Sequence, residues 1–290
     1  MRYDALKGCG TALVTPFLED GSVDYEAYAA LIDRQVASGV DFLTVLATTA
    51  ETPALSAEEK VRILDITREH APHTPLLVGC GSNAVEPTLA NMSLLAGHGV
   101  DAWLVVVPFY NKPTQEGQYR YFKTIAAATD KPLVIYNVPG RTGANMTAQT
   151  CTRLAVDVPN IVAVKEASGN FDQISEILHT APADFCVLSG DDDMTVSIME
   201  IGAKGVISVA SNAYPGELVR MTHAALEGDF TTARALDERL HPFFKACFVE
   251  SNPVPVKAAM SVMGLMSHTV RLPLSDATAQ TFETIEKAML

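Results

Sequence analysis

Short apolar runs alternate with amphipathic stretches along the first three quarters of the chain. The runs are rich in Val, Ile and Leu and nearly continuous, which is typical of parallel strands buried on both faces. We predict eight strands, at 11–17, 41–48, 75–81, 102–108, 132–138, 161–167, 185–190 and 205–210. Intervals of roughly 20 to 34 residues between them indicate repeated β–α units.

The segments between the runs carry helix signals. Four side chains recur at helical spacing in a helix predicted at 24–38, namely Tyr28, Leu31, Ile32 and Gln35. Asp24 is the candidate N-cap of this helix, and Ser56 with Glu59 reads as a capping box. A further helix is predicted at Pro215–Leu226, with its proline in the first turn.

The alternation stops after Gly228, and three further helices are predicted at 231–248, 255–263 and 276–290. We therefore predict an α/β fold, a (β/α)8 TIM barrel over residues 1–228, with a C-terminal helical extension over 229–290 packed on it as part of one structural unit. The competing architecture is a doubly wound open sheet, which usually has a glycine-rich turn after its first strand. Here that strand ends in Thr15, Pro16 and Phe17, which favours the barrel.

Composition narrows the classes of partner. Lys and Arg number 21 against 34 Asp and Glu, a formal net charge of −13, so we expect no nucleic-acid partner. No apolar run approaches the roughly 20 residues that cross a bilayer, and the first residues lack a signal-peptide pattern. Five dispersed cysteines without zinc-site spacing fit a reducing compartment: Cys9, Cys80, Cys151, Cys186 and Cys247. We expect a cytoplasmic protein without a membrane partner.

Lys165 is the most unusual residue at a predicted strand end, where catalytic groups of such barrels lie. Alternation along the strand places Ile161, Ala163 and Lys165 on one face. It places Val162, Val164 and Glu166 on the other. If Lys165 faces the barrel interior, loss of water disfavours its ammonium form and leaves a nucleophilic amine. From this strand alone, a solvated lysine paired with Glu166 is the commoner arrangement.

Other strand ends carry candidates that are ambiguous singly. Tyr136 is either a general acid/base or a core aromatic with a bonded hydroxyl. Thr48 and Thr49 offer hydroxyl and backbone N–H groups that could hold a small carboxylate or form an ordinary turn. Arg141 is either a fork for a second carboxylate or a loop arginine. The acidic residues 191–193 fit a helix start better than a metal site, so we expect no metal.

Three long motifs carry a family resemblance: YNKPTQEG at 110–117, YNVPGRTG at 136–143 and KEASGN at 165–170. In this order and on these strands they resemble the pyruvate-dependent aldolase superfamily, which includes the N-acetylneuraminate lyases, and within it the dihydrodipicolinate synthase family. The resemblance extends from residue 10 to beyond residue 208 and so covers essentially the whole barrel.

The resemblance implies a lyase in which Lys165 condenses with pyruvate to an imine, which then becomes an enamine. The enamine attacks L-aspartate 4-semialdehyde in the first committed step of the diaminopimelate and lysine pathway. Because the Lys165 imine is the electron sink, no cofactor is expected. The family also implies a homo-oligomer, a tetramer built from tight dimers.

The resemblance also assigns roles to individual residues. Thr48 would hold the pyruvate carboxylate, and Arg141 would bind the carboxylate of the semialdehyde. Thr49 and Tyr136 would form a proton relay with Tyr110, which would reach in from a neighbouring subunit. Backbone groups of two residues would line the pyruvate pocket, namely Gly190 and Ile207.

Two rival functions stay open at this point. One is a related pyruvate-forming aldolase that acts on a 2-keto-3-deoxy sugar acid or on sialic acid. The sialic acid lyases lack an arginine after the strand-five tyrosine, so Arg141 favours the smaller semialdehyde. The other is a barrel that only binds a metabolite, which would need neither a nucleophile nor a hydroxyl relay at its strand ends.

The chain departs from the family at two places. Ala47 and Ala50 replace the glycines of the usual Gly-Thr-Thr-Gly-Glu motif, and would cost on the order of 1 kcal/mol if either needed a positive φ. Of the positions associated with inhibition by lysine, only Asn83 matches, and four depart, namely Ala57, Lys60, Pro87 and Phe109. We predict weak or absent inhibition by L-lysine.

Overall fold

The computed structural model describes residues 4–290, and in this range eight parallel strands close into a barrel. The strands are β1 (Gly8–Ala12), β2 (Phe42–Val45), β3 (Leu76–Gly79), β4 (Ala102–Val106), β5 (Leu133–Asn137), β6 (Ile161–Glu166), β7 (Cys186–Ser189) and β8 (Gly205–Ser208). Each strand pairs with the next along the chain, and β8 pairs with β1. The predicted (β/α)8 fold is confirmed.

Helices connect the strands and cover the outside of the barrel. They are α1 (Tyr25–Ala37), α2 (Ala57–His70), α3 (Val85–Leu95), α4 (Gln115–Ala126), α5 (Pro139–Thr142), α6 (Ala148–Asp157), α7 (Phe171–Thr180), α8 (Thr195–Glu200) and α9 (Pro215–Leu226). The C-terminal extension adds α10 (Phe230–Ala246), α11 (Val254–Val262) and α12 (Ala279–Ala288), as expected in kind. Within residues 4–290 no helix has the length and apolar character needed to cross a membrane.

Local helix signals are confirmed. The Asp24 side chain accepts a hydrogen bond from the Ala27 N–H at 3.0 Å, and the four side chains predicted to share a face of α1 are all buried. At the start of α2 the Ser56 hydroxyl accepts from the Glu59 N–H at 3.2 Å, while the Glu59 carboxylate accepts from the Ser56 N–H at 2.8 Å. Both ends of the capping box are therefore made.

The first predicted strand is wrong in position. The observed β1 spans Gly8–Ala12 rather than 11–17, because it begins in a glycine-rich stretch that lacks the apolar run on which the prediction relied. A Cβ on Gly205 would overlap the backbone of Gly8, its partner across the β1–β8 pair. The other seven predicted strands run one to three residues beyond the observed C-terminal ends, where the chain turns into the loops of the barrel mouth.

Strand β6 contains a bulge that alternation did not predict. Leu133 of β5 pairs with Ile161, whereas the next residue, Val134, pairs with Ala163. Ile161 consequently packs in the outer core under the helices, and Val162 lies with Ala163 inside the barrel. The prediction that Ile161 shares a face with Ala163 is wrong.

Candidate active site

Lys165 lies near the C-terminal end of β6 with only 4% of its surface exposed. Its Nζ is 4.3 Å from the ring centroid of Tyr136, the residue that pairs with it on β5. Tyr136 is itself 6% exposed and belongs to the cluster that fills the barrel interior. The lysine therefore enters the barrel mouth against an aromatic ring, and the solvated arrangement is wrong.

Glu166 lies on the opposite face of β6 from Lys165. Its carboxylate accepts hydrogen bonds from the Asn137 side-chain amide at 3.1 Å, the Ser168 N–H at 2.9 Å and the Gln173 side-chain amide at 3.3 Å. Burial raises the pKa of Glu166, and these hydrogen bonds oppose the shift. Because its partners lie outside the barrel, the alternative pairing of Glu166 with Lys165 is wrong.

Gly190 makes room for the stem of Lys165. A Cβ added at Gly190 would lie 3.0 Å from the Lys165 Cε and 2.5 Å from the Ala167 Cβ. The Gly190 N–H also donates to the Glu166 carbonyl at 2.7 Å, which fixes the loop that leaves β7. Ile207, the other residue assigned to the pocket wall, is fully buried on β8 inside the barrel.

Asp191 follows Gly190 and places a carboxylate in the field of two cations. Burial raises the pKa of Asp191 to about 6, an effect that the nearby Lys165 and Arg141 oppose. Asp191 drew attention in the sequence only as part of an acidic helix start. Its proximity to Lys165 and Arg141 could not be predicted, because both residues are distant from it in the sequence.

Residues 191–193 open a helix as predicted, but the Asp192 carboxylate binds elsewhere. These residues enter a short 3-10 turn, Asp192–Met194, that precedes α8. The Asp192 carboxylate, 2% exposed, accepts from the Val209 N–H at 3.1 Å and the Ala210 N–H at 2.9 Å. It therefore ties the end of β7 to the loop after β8 rather than serving the helix dipole.

The loop after β2 presents its two threonines differently. Thr48 and Thr49 begin the 3-10 turn Thr48–Ala50, so their N–H groups have no partner within the turn. Thr48 is exposed, whereas Thr49 is 2% exposed and its hydroxyl accepts from the side-chain amide of Asn252 at 3.0 Å. Sequence reasoning missed Asn252 because no local motif relates it to β2.

The two alanines that replace family glycines do not carry the backbone strain of this loop. Ala47 has an extended conformation, φ −89° and ψ −170°, and Ala50 lies in the 3-10 turn without a positive φ. The left-handed residues are their neighbours, Leu46 at φ 55° and Glu51 at φ 54°. The alanine substitutions therefore bring none of the penalty that a positive φ would cause.

Glu51 is held by the C-terminal extension. Its carboxylate accepts from the Lys257 Nζ at 2.6 Å and from the Arg271 N–H at 2.9 Å. Both charged side chains of the Lys257–Glu51 pair are almost fully buried. Burial lowers the pKa of Lys257 to about 8, although Glu51 opposes the shift.

A cavity of about 500 Å³ opens at the C-terminal end of the barrel. Its wall includes Ala47, Thr48, Tyr136, Val138 and Arg141 near the strand ends, and Lys60 and Phe109 further out. Lys165 is not part of this wall. Its Nζ lies 4.3 Å from the ring centroid of Tyr136, which does line the cavity.

Tyr110 stands apart from the other candidates. It is 87% exposed, has φ 69°, and does not line the cavity of its own chain. A positive φ at an aromatic residue is uncommon and is usually maintained for a reason outside local stability. The structure thus brings Lys165, Tyr136 and Arg141 to one mouth and leaves Tyr110 on the surface.

Fold and site together define a (β/α)8-barrel enzyme with a buried amine at the mouth, beside hydroxyl groups and a guanidinium. The model of the dihydrodipicolinate synthetase family matches residues 5–289. The chain belongs to that family.

Relatives match over nearly the full length. A 4-hydroxy-tetrahydrodipicolinate synthase from Phocaeicola vulgatus is 52% identical over 282 residues, which are 96% of this chain and 94% of that protein. The structure of dihydrodipicolinate synthase from Thermotoga maritima matches with a TM-score of 0.95 at 41% identity, covering 97% of both chains. A monomeric dihydrodipicolinate synthase variant matches with a TM-score of 0.96 at 41% identity, covering 98% of this chain and 96% of that one.

Proposed function

We propose that this enzyme condenses pyruvate with L-aspartate 4-semialdehyde to give 4-hydroxy-tetrahydrodipicolinate. The observation that carries the proposal is the buried Lys165 amine against Tyr136, with Gly190 lacking the side chain that would block it. Family membership and the names of the relatives support the same reaction. The reaction supplies a precursor of diaminopimelate and lysine.

The chemistry proceeds through covalent intermediates on Lys165. The neutral amine attacks the ketone carbon of pyruvate, and water leaves to give an imine. Loss of a methyl proton gives the enamine, whose carbon forms the new bond to the aldehyde carbon of the semialdehyde. The substrate amino group then attacks the imine carbon, and the Lys165 amine leaves as the ring closes. The imine accepts the electron pair that the methyl C–H releases, and the aldehyde oxygen takes up a proton after the new bond forms, so the reaction requires no separate cofactor.

The two threonines take distinct roles in this proposal. Thr48 was predicted to hold the pyruvate carboxylate and Thr49 to join the relay, but their exposures support the opposite assignment. Thr49 is buried with a fixed hydroxyl, which suits a carboxylate that must be held still. Thr48 lines the cavity together with Tyr136, which suits proton transfer between hydroxyl groups.

The remaining predicted residues bind substrate or complete the proton relay. Arg141, exposed on the cavity wall, receives the carboxylate of the semialdehyde through its guanidinium fork. Backbone groups of Gly190 and Ile207 line the pyruvate pocket. Tyr110 completes the relay of a neighbouring subunit, which its exposure and left-handed backbone support. This role needs at least a dimer, and we propose a tetramer made of two such dimers.

Substrate assays with an Arg141→Ala variant test the proposal. We expect wild type to condense pyruvate with L-aspartate 4-semialdehyde and not to cleave 2-keto-3-deoxy sugar acids or sialic acid. Arg141→Ala should raise KM for the semialdehyde roughly 10- to 100-fold with little change for pyruvate, because a charge-assisted hydrogen bond contributes about 1.5 to 3 kcal/mol. Arg120→Ala, on the exposed face of α4, is the control. Cleavage of a sugar acid without condensation would establish the rival aldolase.

A further inference from the structure

Thr49 and Asn252 meet in the interior although 203 residues separate them in the chain. The Asn252 Nδ2 donates to the Thr49 Oγ1 at 3.0 Å, and the two residues are 5% and 2% exposed. Thr49 belongs to the loop after β2, whereas Asn252 precedes α11 of the extension. The contact therefore joins the barrel mouth directly to the C-terminal extension.

This contact fixes the direction of the Thr49 hydroxyl. A threonine hydroxyl has one donor hydrogen and two acceptor lone pairs. Because the Asn252 N–H occupies one lone pair, the Thr49 hydrogen must be directed away from Asn252. Across residues 4–290 that hydrogen meets no acceptor in the protein. It is therefore a free donor, ready for an acceptor atom of a ligand.

The surroundings keep the two side chains in this arrangement. Glu51, two residues after Thr49, is bound by Lys257 and by the Arg271 backbone, and both come from the extension. The same Arg271 clamps Glu59 of α2 with two hydrogen bonds, at 2.7 and 2.6 Å. The loop cannot shift relative to Asn252 without breaking the buried Lys257–Glu51 ion pair.

Folding stability alone does not account for Asn252. Its side-chain oxygen is buried and has no hydrogen-bond partner in the described chain. A half-satisfied buried amide is a poor stabilising device, because an apolar side chain of similar shape would avoid the desolvation penalty. The amide is consistent instead with a requirement for its N–H at Thr49.

We propose that Asn252 is a positioning residue that directs the Thr49 O–H toward the carboxylate of pyruvate. This inference rests on the proposed function, since it takes pyruvate as the ligand. Asn252 acts only through Thr49 and does not touch the reacting atoms. The extension thereby contributes to pyruvate binding through one hydrogen bond.

Variants of Asn252 test the proposal by the division between KM and kcat. Asn252→Ala should raise KM for pyruvate about tenfold with a small change in kcat, because one hydrogen bond to substrate is left undirected. Asn252→Asp keeps the shape but can only accept, so it should capture the Thr49 hydrogen and repel the carboxylate, and raise KM about 100-fold. An Asn252→Asp enzyme with the KM of wild type would overturn the proposal, even if Asn252→Ala fails to fold.

A matched control separates positioning from general destabilisation. Asn160, like Asn252, uses its side-chain amide as a donor, and it binds the carbonyls of Ala126 and Thr129. It lies at the N-terminal end of β6, away from the mouth. Asn160→Ala should lower the urea midpoint without changing KM for pyruvate. Equal changes in KM for Asn160→Ala and Asn252→Ala would show that both effects are structural, and would overturn the proposal.

A double-mutant cycle with Thr49→Val tests whether Asn252 acts through Thr49. In the Thr49→Val background the hydroxyl is gone, so Asn252→Ala should raise KM no further. Additive effects would overturn the proposal. Borohydride trapping of wild type with pyruvate is run beside the cycle: no adduct would refute the proposed function and with it this inference, whereas an adduct together with an additive cycle would refute the inference alone.

Discussion

The two sides of the barrel mouth are held in place by different means. On one side, Lys165 and Tyr136 pair in register on adjacent strands, so the sheet itself sets their separation. On the other side, the loop after β2 contains two left-handed residues and depends on side chains of a distant extension. The difference indicates that the strands themselves position the amine, whereas contacts with the extension position the loop that we propose to bind the carboxylate.

The largest expected effect is on the side of the mouth that contains Lys165 and Tyr136, called here the sheet-built side. Lys165→Ala should lower kcat by at least roughly 10³-fold, about 4 kcal/mol of barrier, because alanine has no amine with which to form the imine that every later step requires. Lys287→Ala, on the exposed surface of α12, is the control and should leave kcat unchanged. The measurement is kcat of wild type and both variants, from steady-state turnover with pyruvate and L-aspartate 4-semialdehyde. A Lys165→Ala enzyme within tenfold of wild type would contradict the covalent mechanism.

The next largest effects are expected at Thr48 and Thr49 in the loop after β2, called here the loop-built side of the mouth. Thr48→Val should lower kcat about tenfold by removing a relay hydroxyl, with KM for pyruvate little changed. Thr49→Val should raise KM for pyruvate about tenfold and affect kcat less. Initial rates over a range of pyruvate concentrations give both parameters. The reverse pattern would restore the roles that the family resemblance assigned.

A smaller effect is expected on stability at Asp191. Burial raises the pKa of its carboxyl to about 6 in the folded chain. The protonated carboxyl therefore contributes to the free energy of unfolding in full below about pH 4, and this contribution is lost as pH rises through about 6. Asparagine stays neutral, so Asp191→Asn should increase the free energy of unfolding by about 1 to 2 kcal/mol near pH 7 and by nothing near pH 4.

Urea unfolding at both pH values measures the Asp191 effect. The exposed neighbour Asp193 provides a matched control, since Asp193→Asn removes one negative charge from the same turn. The same gain in both variants would attribute it to net charge rather than to burial of Asp191. A gain that persists near pH 4 would contradict the titration argument.

The smallest expected effect is that of L-lysine, which should leave the steady-state rate nearly unchanged. Only Asn83 of the positions associated with inhibition matches, and the cavity wall includes Phe109 and Lys60, whose side chain carries an amine. An amine at this position would repel the ammonium groups of lysine. Millimolar L-lysine should leave the steady-state rate within a factor of about two of the control. Loss of activity at that concentration would refute the prediction.

The sequence predicted the barrel and the sheet-built side well, because both depend on local patterns. Eight apolar runs with helical spacers define the fold, and a lysine at the end of an apolar strand is visible without any partner. The failures had local causes too. The glycine-rich start of β1 at Gly8 lacks an apolar run, and the extra residue in β6 moved Ile161 to the outer face.

The loop-built side could not be predicted, because its determinants are far apart in the chain. Nothing around Asn252 indicates that its amide contacts Thr49, and nothing around Lys257 indicates a buried pair with Glu51. The missing family glycines at Ala47 and Ala50 also suggested strain, which the structure places at Leu46 and Glu51 instead. Such contacts follow only from how the extension packs on the barrel.

Borohydride trapping tests the central claim most directly. Wild type is incubated with pyruvate and sodium borohydride, and intact mass followed by peptide mapping locates the reduced adduct. The account predicts one adduct per chain, with the mass of pyruvate less water plus two hydrogens, on the peptide that contains Lys165. An unchanged mass, or an adduct on any other lysine, would contradict it.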